Sequence, residues 1–318
     1  MGKSVTPLVE GGLLVAITII LGLVAVYVPL FGILVEFFCA VPLAVLTTRQ
    51  GVGKGFTALF VSFILLSMLI SPLPAIRLAL SYGICGVVFG WCLRKNFAAV
   101  RIFFTLMVVA SAAQFVTLAL LIVLLDVNLI ETQIEMIRES FAESFAMYES
   151  LGVEPERIAE AKGQVEPALQ TLALLMPSLM MMTALANSTA TWLTAHWIFP
   201  KLQMKVPTLP PFAEWRFPVL FLYTAIIGGL SMYWGITRGW TGIQEIALNL
   251  TLVSMLIGLI QGLALLSATF DRYKVSKLIR RLFYALLILN FFLLQLVAIT
   301  GLMDMVFDYR KRFFKGGD

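Results

Sequence analysis

Apolar positions along this chain gather into about nine long runs, divided by short polar turns and by one sizeable polar stretch, the acidic segment 126–166. The runs are 8–28, 30–47, 55–70, 74–93, 102–125, 169–199, 217–234, 243–270 and 282–303. Hydrocarbon offers no water to unpaired backbone N–H and C=O groups, so apolar runs of about 20 residues predict membrane-spanning helices. The expected fold is an all-α integral membrane protein with about nine transmembrane helices. Composition agrees: mean hydropathy is +0.95 and 13% of residues are charged, against roughly a quarter in soluble domains. The first run is too long for the apolar core of a cleavable signal and is expected to remain as a helix. Two regions follow, a six-span domain at 1–199 and a three-span region with a basic tail at 200–318.

The acidic segment has its own periodicity. Ile130, Ile134, Ile137, Phe141, Phe145, Tyr148 and Leu151 recur at three- and four-residue spacing, with Glu131, Glu135, Glu139 and Glu143 on a second stripe; this predicts an amphipathic helix. Gly152 is expected to end it, Pro155 to open a second short helix, and Gly163 with Pro167 to mark the start of the next span. The result is a helical hairpin whose apolar stripe must be covered by the ends of the spans, the bilayer interface or a partner. Its polar face is poor in Lys and Arg, which argues against a lipid-surface helix. A lid over the bundle mouth and an inert solvated cap both remain open. A row of carboxylates four apart lacks the loop geometry of calcium ligation.

Charge sets the expected orientation. Arg49 and Lys54, then Arg94, Lys95 and Arg101, then Lys201, Lys205 and Arg216, then Arg272, Lys274, Lys277, Arg280 and Arg281 occupy alternate turns, and the intervening turns 29–32, 71–74 and 236–242 are nearly free of basic residues. Basic turns face the cytoplasm, so the amino terminus is expected inside and 126–167 outside, in the inner (cytoplasmic) membrane. Segment 126–166 holds ten acidic and three basic residues, net −7 in a chain of net +5. The basic tail at Arg310, Lys311, Arg312 and Lys315 conflicts with this scheme, because a ninth crossing would place it outside. Run 282–303 is long enough to span, so nine crossings are expected. The basic patches suit an anionic bilayer surface, and no nucleic-acid-reading module accompanies them.

Ionisable groups inside spans cost roughly 2.5–3.5 kcal/mol each at a helix centre. Glu36 and Arg77 fall at similar depth past two outer turns and can meet, either as a helix–helix salt bridge or as a charged pair lining an outer cavity. Gln114, Asn187, Asn249, Gln261, Asn290 and Gln295 are mid-span amides of the kind that hydrogen-bond between helices. Glu10 and Glu245 stand where helix macrodipoles favour carboxylates. Small residues four apart, Gly12 with Ala16, Gly86 with Gly90, Ala186 with Ala190 and Gly258 with Gly262, predict close helix packing. Cys39, Cys85 and Cys92 lie in apolar segments without metal or disulfide spacing. His196 sits between Trp192 and Trp197 as an interfacial anchor. No nucleotide-binding, hydrolase or metalloprotease motif occurs, so neither enzymatic activity, a cofactor nor a metal is expected.

Two resemblances add to this. The stretch Leu8-Val9-Glu10-Gly11-Gly12-Leu13-Leu14-Val15-Ala16-Ile17, then Pro42-Leu43 and Arg49-Gln50-Gly51, resembles the start of the YybS-like family of uncharacterised bacterial membrane proteins. The ending Gly301-Leu302-Met303-Asp304-Met305-Val306-Phe307-Asp308-Tyr309-Arg310-Lys311-Arg312 is similar to that family's closing pattern. This resemblance covers nearly the whole chain and implies no activity. The first six runs, more distantly, look like the substrate-binding S components of energy-coupling factor vitamin transporters. That likeness implies docking on a coupling subunit through Gly12 and Ala16, and a solute pocket near Arg77, Tyr82, Gln114 and the acidic hairpin. Candidate solute contacts are therefore Glu36, Arg77, Tyr82, Gln114 and Asn187.

Two functions follow as expectations: a solute-binding or transporting subunit that works with a membrane coupling partner, or a non-transporting scaffold or regulatory protein. A polar outer cavity favours the first. A filled interior favours the second.

Overall fold

The computed structural model describes residues 7–28, 31–125 and 128–314, so Pro29, Leu30, Asp126, Val127 and Lys315 lie outside it; the described residues are helical, with no strand. The chain divides into two compact units, 1–166 with 179–208, and 167–178 with 209–318. The division differs from the expected one at residue 199: it falls at 208, and a short piece of one long helix joins the second unit.

In the first unit, α1 (Pro7–Tyr27) is followed by two short helices, α2 (Phe31–Glu36) and α3 (Ala40–Gln50), then α4 (Val52–Leu69), α5 (Pro72–Leu78), α6 (Ile84–Arg94), α7 (Ala99–Leu125), α8 (Leu129–Ser150) and most of α9 (Pro155–Ile198). Run 30–47 is thus not one continuous helix, although Arg49 and Gln50 at the end of α3 lie back beside Glu10 and Pro7 at the start of α1. Had a helix continued through it, Pro42 would have lost its hydrogen bond to Phe38 and crowded that carbonyl. Instead the chain tightens at 36–41, where Phe38, Cys39 and Val41 donate to Val35, Glu36 and Phe38, and Pro42 falls in the first turn of α3, where its missing N–H costs nothing. Between α5 and α6, a single π-helical turn at Ala79–Gly83 keeps Pro72–Arg94 continuous as a span.

Close packing follows the small residues. A Cβ on Gly86 or Gly90 would strike the carbonyl of Ala40 or Ala44, so α6 lies against the backbone of α3. Gly12 behaves otherwise: a Cβ there would meet nothing within 4 Å, and Ala16 is exposed too. The expected Gly12–Ala16 packing seam is therefore absent from this chain's own contacts, and Gly22 supplies α1's close approach, against Leu66 and Leu78. The unit's interior is mostly aliphatic, with Leu43, Leu46, Val87, Ile102 and Leu106 buried, and includes aromatic side chains meeting edge to face: Phe89 with Trp192 at 6.0 Å and with Phe199 at 5.7 Å.

The acidic segment forms α8 as its periodicity predicts, capped by Asn128, whose side chain accepts from Ile130 N at 3.1 Å. The expected break at Gly163 and Pro167 does not occur, since α9 runs unbroken from Pro155 to Ile198 with both Pro167 and Pro177 inside it. Arg138 reaches Glu166 at 3.2 Å and Lys162 reaches Glu149 at 2.9 Å, closing the hairpin. Ile134 and Ile158 are buried, whereas Phe141, Met147, Tyr148 and Leu151 stay exposed. The outer part of the stripe is thus uncovered among the described residues.

The second unit contains α10 (Leu220–Arg238), α11 (Thr241–Arg272), α12 (Lys277–Leu289), α13 (Phe291–Phe307) and α14 (Tyr309–Phe314). Here Gly258 and Gly262 do pack as expected, on Ala298, Leu302 and Val297, and Gly301 returns the contact against the backbone of Gly258 and Gly262. The piece of α9 in this unit is joined to α11 through Asn249. Its amide accepts from Ser178 N at 3.0 Å and donates to the Leu174 carbonyl at 2.7 Å. These are the donor and acceptor of one helical i→i−4 bond, so the side chain is inserted into the ladder of α9 beside Pro177.

Among the described residues, seven single helical stretches are long and apolar enough to cross a membrane: α1, α4, Pro72–Arg94, Ala99–Val123, Pro155–Leu202, α10 and α11. Run 282–303, expected as a ninth crossing, is broken at Asn290, where α12 and α13 turn by 106°. Arg280, near the start of α12, pairs with Asp271 at the end of α11. Past the end of α13, Asp308 pairs with Arg216 at 2.9 Å and Arg310 bonds the Ala213 carbonyl, both just before α10. Because α10 and α11 form a hairpin in which Gly228 lies on Thr251 and Gly235 on Gln244, the start of α10 and the end of α11 share one end. The α12–α13 pair therefore leaves and returns at that end.

Candidate functional site

The turn between α2 and α3 carries Glu36 to the end of its helix, and the π-helical turn carries Tyr82 towards it. Glu36, only 8% exposed, is held by both guanidinium Nη atoms of Arg77 and accepts from the Tyr82 hydroxyl at 2.9 Å. Buried Cys39 lies one turn away. Of the five candidate solute contacts, the structure brings Glu36, Arg77 and Tyr82 together. Gln114 on α7 is half-buried and Asn187 on α9 is buried, and no hydrogen bond joins either to the cluster among the described residues.

Arg77 remains 48% exposed on its side chain, so the cluster has one open edge. A cavity touching Cys39, Thr18, Ser62 and Leu78, but none of Glu36, Arg77 and Tyr82, holds about 20 Å³. That is room for one water. The Ser62 hydroxyl, buried without a hydrogen-bond partner, is the group such a water would satisfy. Ligand pockets for small organic molecules run to about 300–1,000 Å³.

A second cluster was not foreseen. Glu10, read from the sequence as a helix-dipole carboxylate, pairs with Arg49 and accepts from Gln50 at 3.2 Å, while Gln50 also donates to the Pro7 carbonyl at 2.8 Å. Arg94 donates to the carbonyls of Thr48 and Arg49, and Gly51, at φ +102°, lets the chain turn from α3 into α4 beside it. The two stretches that carry the amino-terminal family resemblance are thus in contact. A recurrent Glu and Arg near two helix ends was the available signal.

A third cluster lies at the end of the second unit where α12 departs and α13 returns. A cleft of about 500 Å³ is lined by Glu214, Arg216, Asp271, Arg310 and Lys311 together with two alanines. Buried Asp304 accepts from Gln261 at 2.7 Å and from Tyr309 N at 3.0 Å; Gln261 in turn accepts from Phe217 N at 3.1 Å. Gln261, expected as interhelical glue, is so employed. Asp308, in the left-handed conformation at φ 43°, bonds Lys311 and Arg216, whose positive charges hold its carboxyl below the usual carboxylate range. Burial lowers Arg310 against the opposing pull of Asp304.

His196 has its ring over Trp192, with Nδ1 3.2 Å from the Trp192 carbonyl. All three cysteines are buried thiols. Among the described residues no group of three or more His, Cys, Asp or Glu stands together as a metal site.

Comparison with known proteins gives a consistent result. A family profile described as "Predicted membrane protein (DUF2232)" matches residues 16–305. The chain is 23% identical to the uncharacterised protein YybS of Bacillus subtilis (strain 168) over 316 residues, covering 98% of this chain and 99% of that one. No solved structure matches.

Proposed function

As the chain belongs to the DUF2232 family of predicted membrane proteins, we propose that it serves as a membrane scaffold or regulatory protein rather than as a carrier of solutes. One observation carries this reading: Glu36 is occupied by Arg77 and Tyr82, and the cavity lined by nearby Cys39 is the size of a water. A carrier must offer its solute a hollow and leave charged groups free to meet it. Here the charges are spent on each other and aliphatic side chains dominate the buried core. The exposed Phe141, Met147, Tyr148 and Leu151 beside Glu139 and Glu143 support a docking role for the hairpin tip, towards a partner with apolar and basic groups. The Lys and Arg distribution supports an inner (cytoplasmic) membrane setting with the amino terminus inside and the hairpin outside. No catalytic step belongs to this proposal.

The S-component-like reading keeps one specific support, the open edge at Arg77. A thermal-shift panel of vitamins, amino acids and metal ions on the purified full chain separates the two, because a ligand that binds only the folded state raises the melting temperature. A scaffold shows no ligand-specific rise. A rise that Arg77→Ala abolishes would establish a solute site and overturn the scaffold reading.

A further inference from the structure

We propose that the cleft between Arg216, Asp271 and Arg310 binds a phosphate-bearing anion, the shared chemistry of an anionic lipid headgroup and a soluble phosphate compound. Arg310 lines the cleft yet is only 6% exposed. Its Nη1 bonds the Ala213 carbonyl, while Nε and Nη2 make no hydrogen bond among the described residues. Those two N–H groups are the parallel donors of the guanidinium's side-on fork, the arrangement that takes two oxygens of one carboxylate or phosphate. Asp304 forms an ion pair with Arg310 but does not fill the fork: its oxygen is 3.6 Å from Nε, beyond hydrogen-bond range, and is already engaged by Gln261. Buried donors left unpaired are costly and mark a missing partner.

The surroundings favour a phosphate. Arg216 and Lys311 stand on the same cleft wall, both bound to Asp308. Arg272, Lys274, Lys277, Arg281 and Arg312 add positive charge on the adjoining segments, against Glu214 and Asp271 on the cleft itself. The position, where α11 ends and α12 begins, is at the boundary between hydrocarbon and water, where basic pockets between helices meet lipid headgroups. Because both donors are sealed from solvent, a bidentate bond to an anion requires Arg310 to turn towards the opening and give up its covered position.

The test uses the full-length protein in phosphatidylcholine micelles or nanodiscs, with binding and melting temperature followed as phosphatidylglycerol or inorganic phosphate is added at constant ionic strength. Wild type is expected to prefer phosphatidylglycerol over phosphatidylcholine at least fivefold. Arg310→Lys, which keeps the charge and loses the fork, is expected to lose most of that preference. The double variant Arg216→Gln/Lys311→Gln, at exposed positions, weakens binding even if Arg310→Lys folds poorly. Competition by millimolar inorganic phosphate identifies a soluble phosphate compound as the source, and its failure identifies the lipid. Equal binding of the two lipids with no response to phosphate overturns the proposal, as does full retention of the preference in both variants.

Discussion

Replacing Gly301 by alanine tests whether α11 and α13 are held at backbone contact. A Cβ at that position would lie 2.9 Å from Gly262 Cα and closer still to Gly258 O and Gly262 N, all backbone atoms that no rotamer change can move. Ordinary carbon–carbon contact is about 3.5–4.0 Å, so the helices must separate by roughly 1 Å. Overpacking of this kind costs about 1–3 kcal/mol. A radial gap of 0.5–1 Å also forfeits about a quarter to a half of each dispersion contact nearby. Against this, alanine gains about 0.5–1 kcal/mol over glycine within a helix. The net expectation is a loss of about 1–2 kcal/mol, with Gly301→Leu worse. Gly229→Ala is the control, because a Cβ there meets nothing within 4 Å and only the helical gain applies. Reversible unfolding in mixed micelles, followed by circular dichroism as denaturing detergent is added, measures both. If Gly301→Ala proves as stable as Gly229→Ala, the close-contact reasoning is wrong.

Asn249→Leu removes the amide inserted into α9 and is expected to cost about 1–2 kcal/mol, the range of interhelical hydrogen bonds in membranes; unchanged unfolding in the same assay would show the amide idle. Arg77→Ala leaves the Glu36 carboxylate without its cation and should destabilise by about 1–3 kcal/mol, discounted from the buried-pair range because Arg77 is half exposed. Adding Glu36→Gln should recover most of the loss, and a double variant no better than Arg77→Ala alone would contradict the pairing. Asp308 has a folded-state pKa below its unfolded value, so its stabilisation is complete above about pH 4 and disappears as pH falls through the folded value. Melting temperature measured from pH 6 to pH 2 should therefore decline less steeply at the acid end in Asp308→Asn than in wild type.

Membrane class, helical content and the amphipathic α8 were legible in the sequence, because each depends on local composition and periodicity along one helix. The pairing of Glu36 with Arg77 was legible as well, since charges at equal depth in hydrocarbon have few other places to go. Run 30–47 reads as one continuous helix by hydropathy, yet the chain breaks it into two pieces before Pro42. Run 282–303 reads as a crossing, but Asn290 caps a new helix, accepting from Leu293 N at 3.1 Å, and the chain doubles back to Arg216. Gly12 with Ala16 and Gly258 with Gly262 are the same pattern in sequence. Only the second meets a neighbouring backbone, because small-residue spacing states what a helix face permits and not which face another helix takes. The cleft at Arg310 depended most on tertiary structure. Its members come from residues nearly a hundred positions apart, and their convergence follows from the turn between α12 and α13, which no periodicity announces.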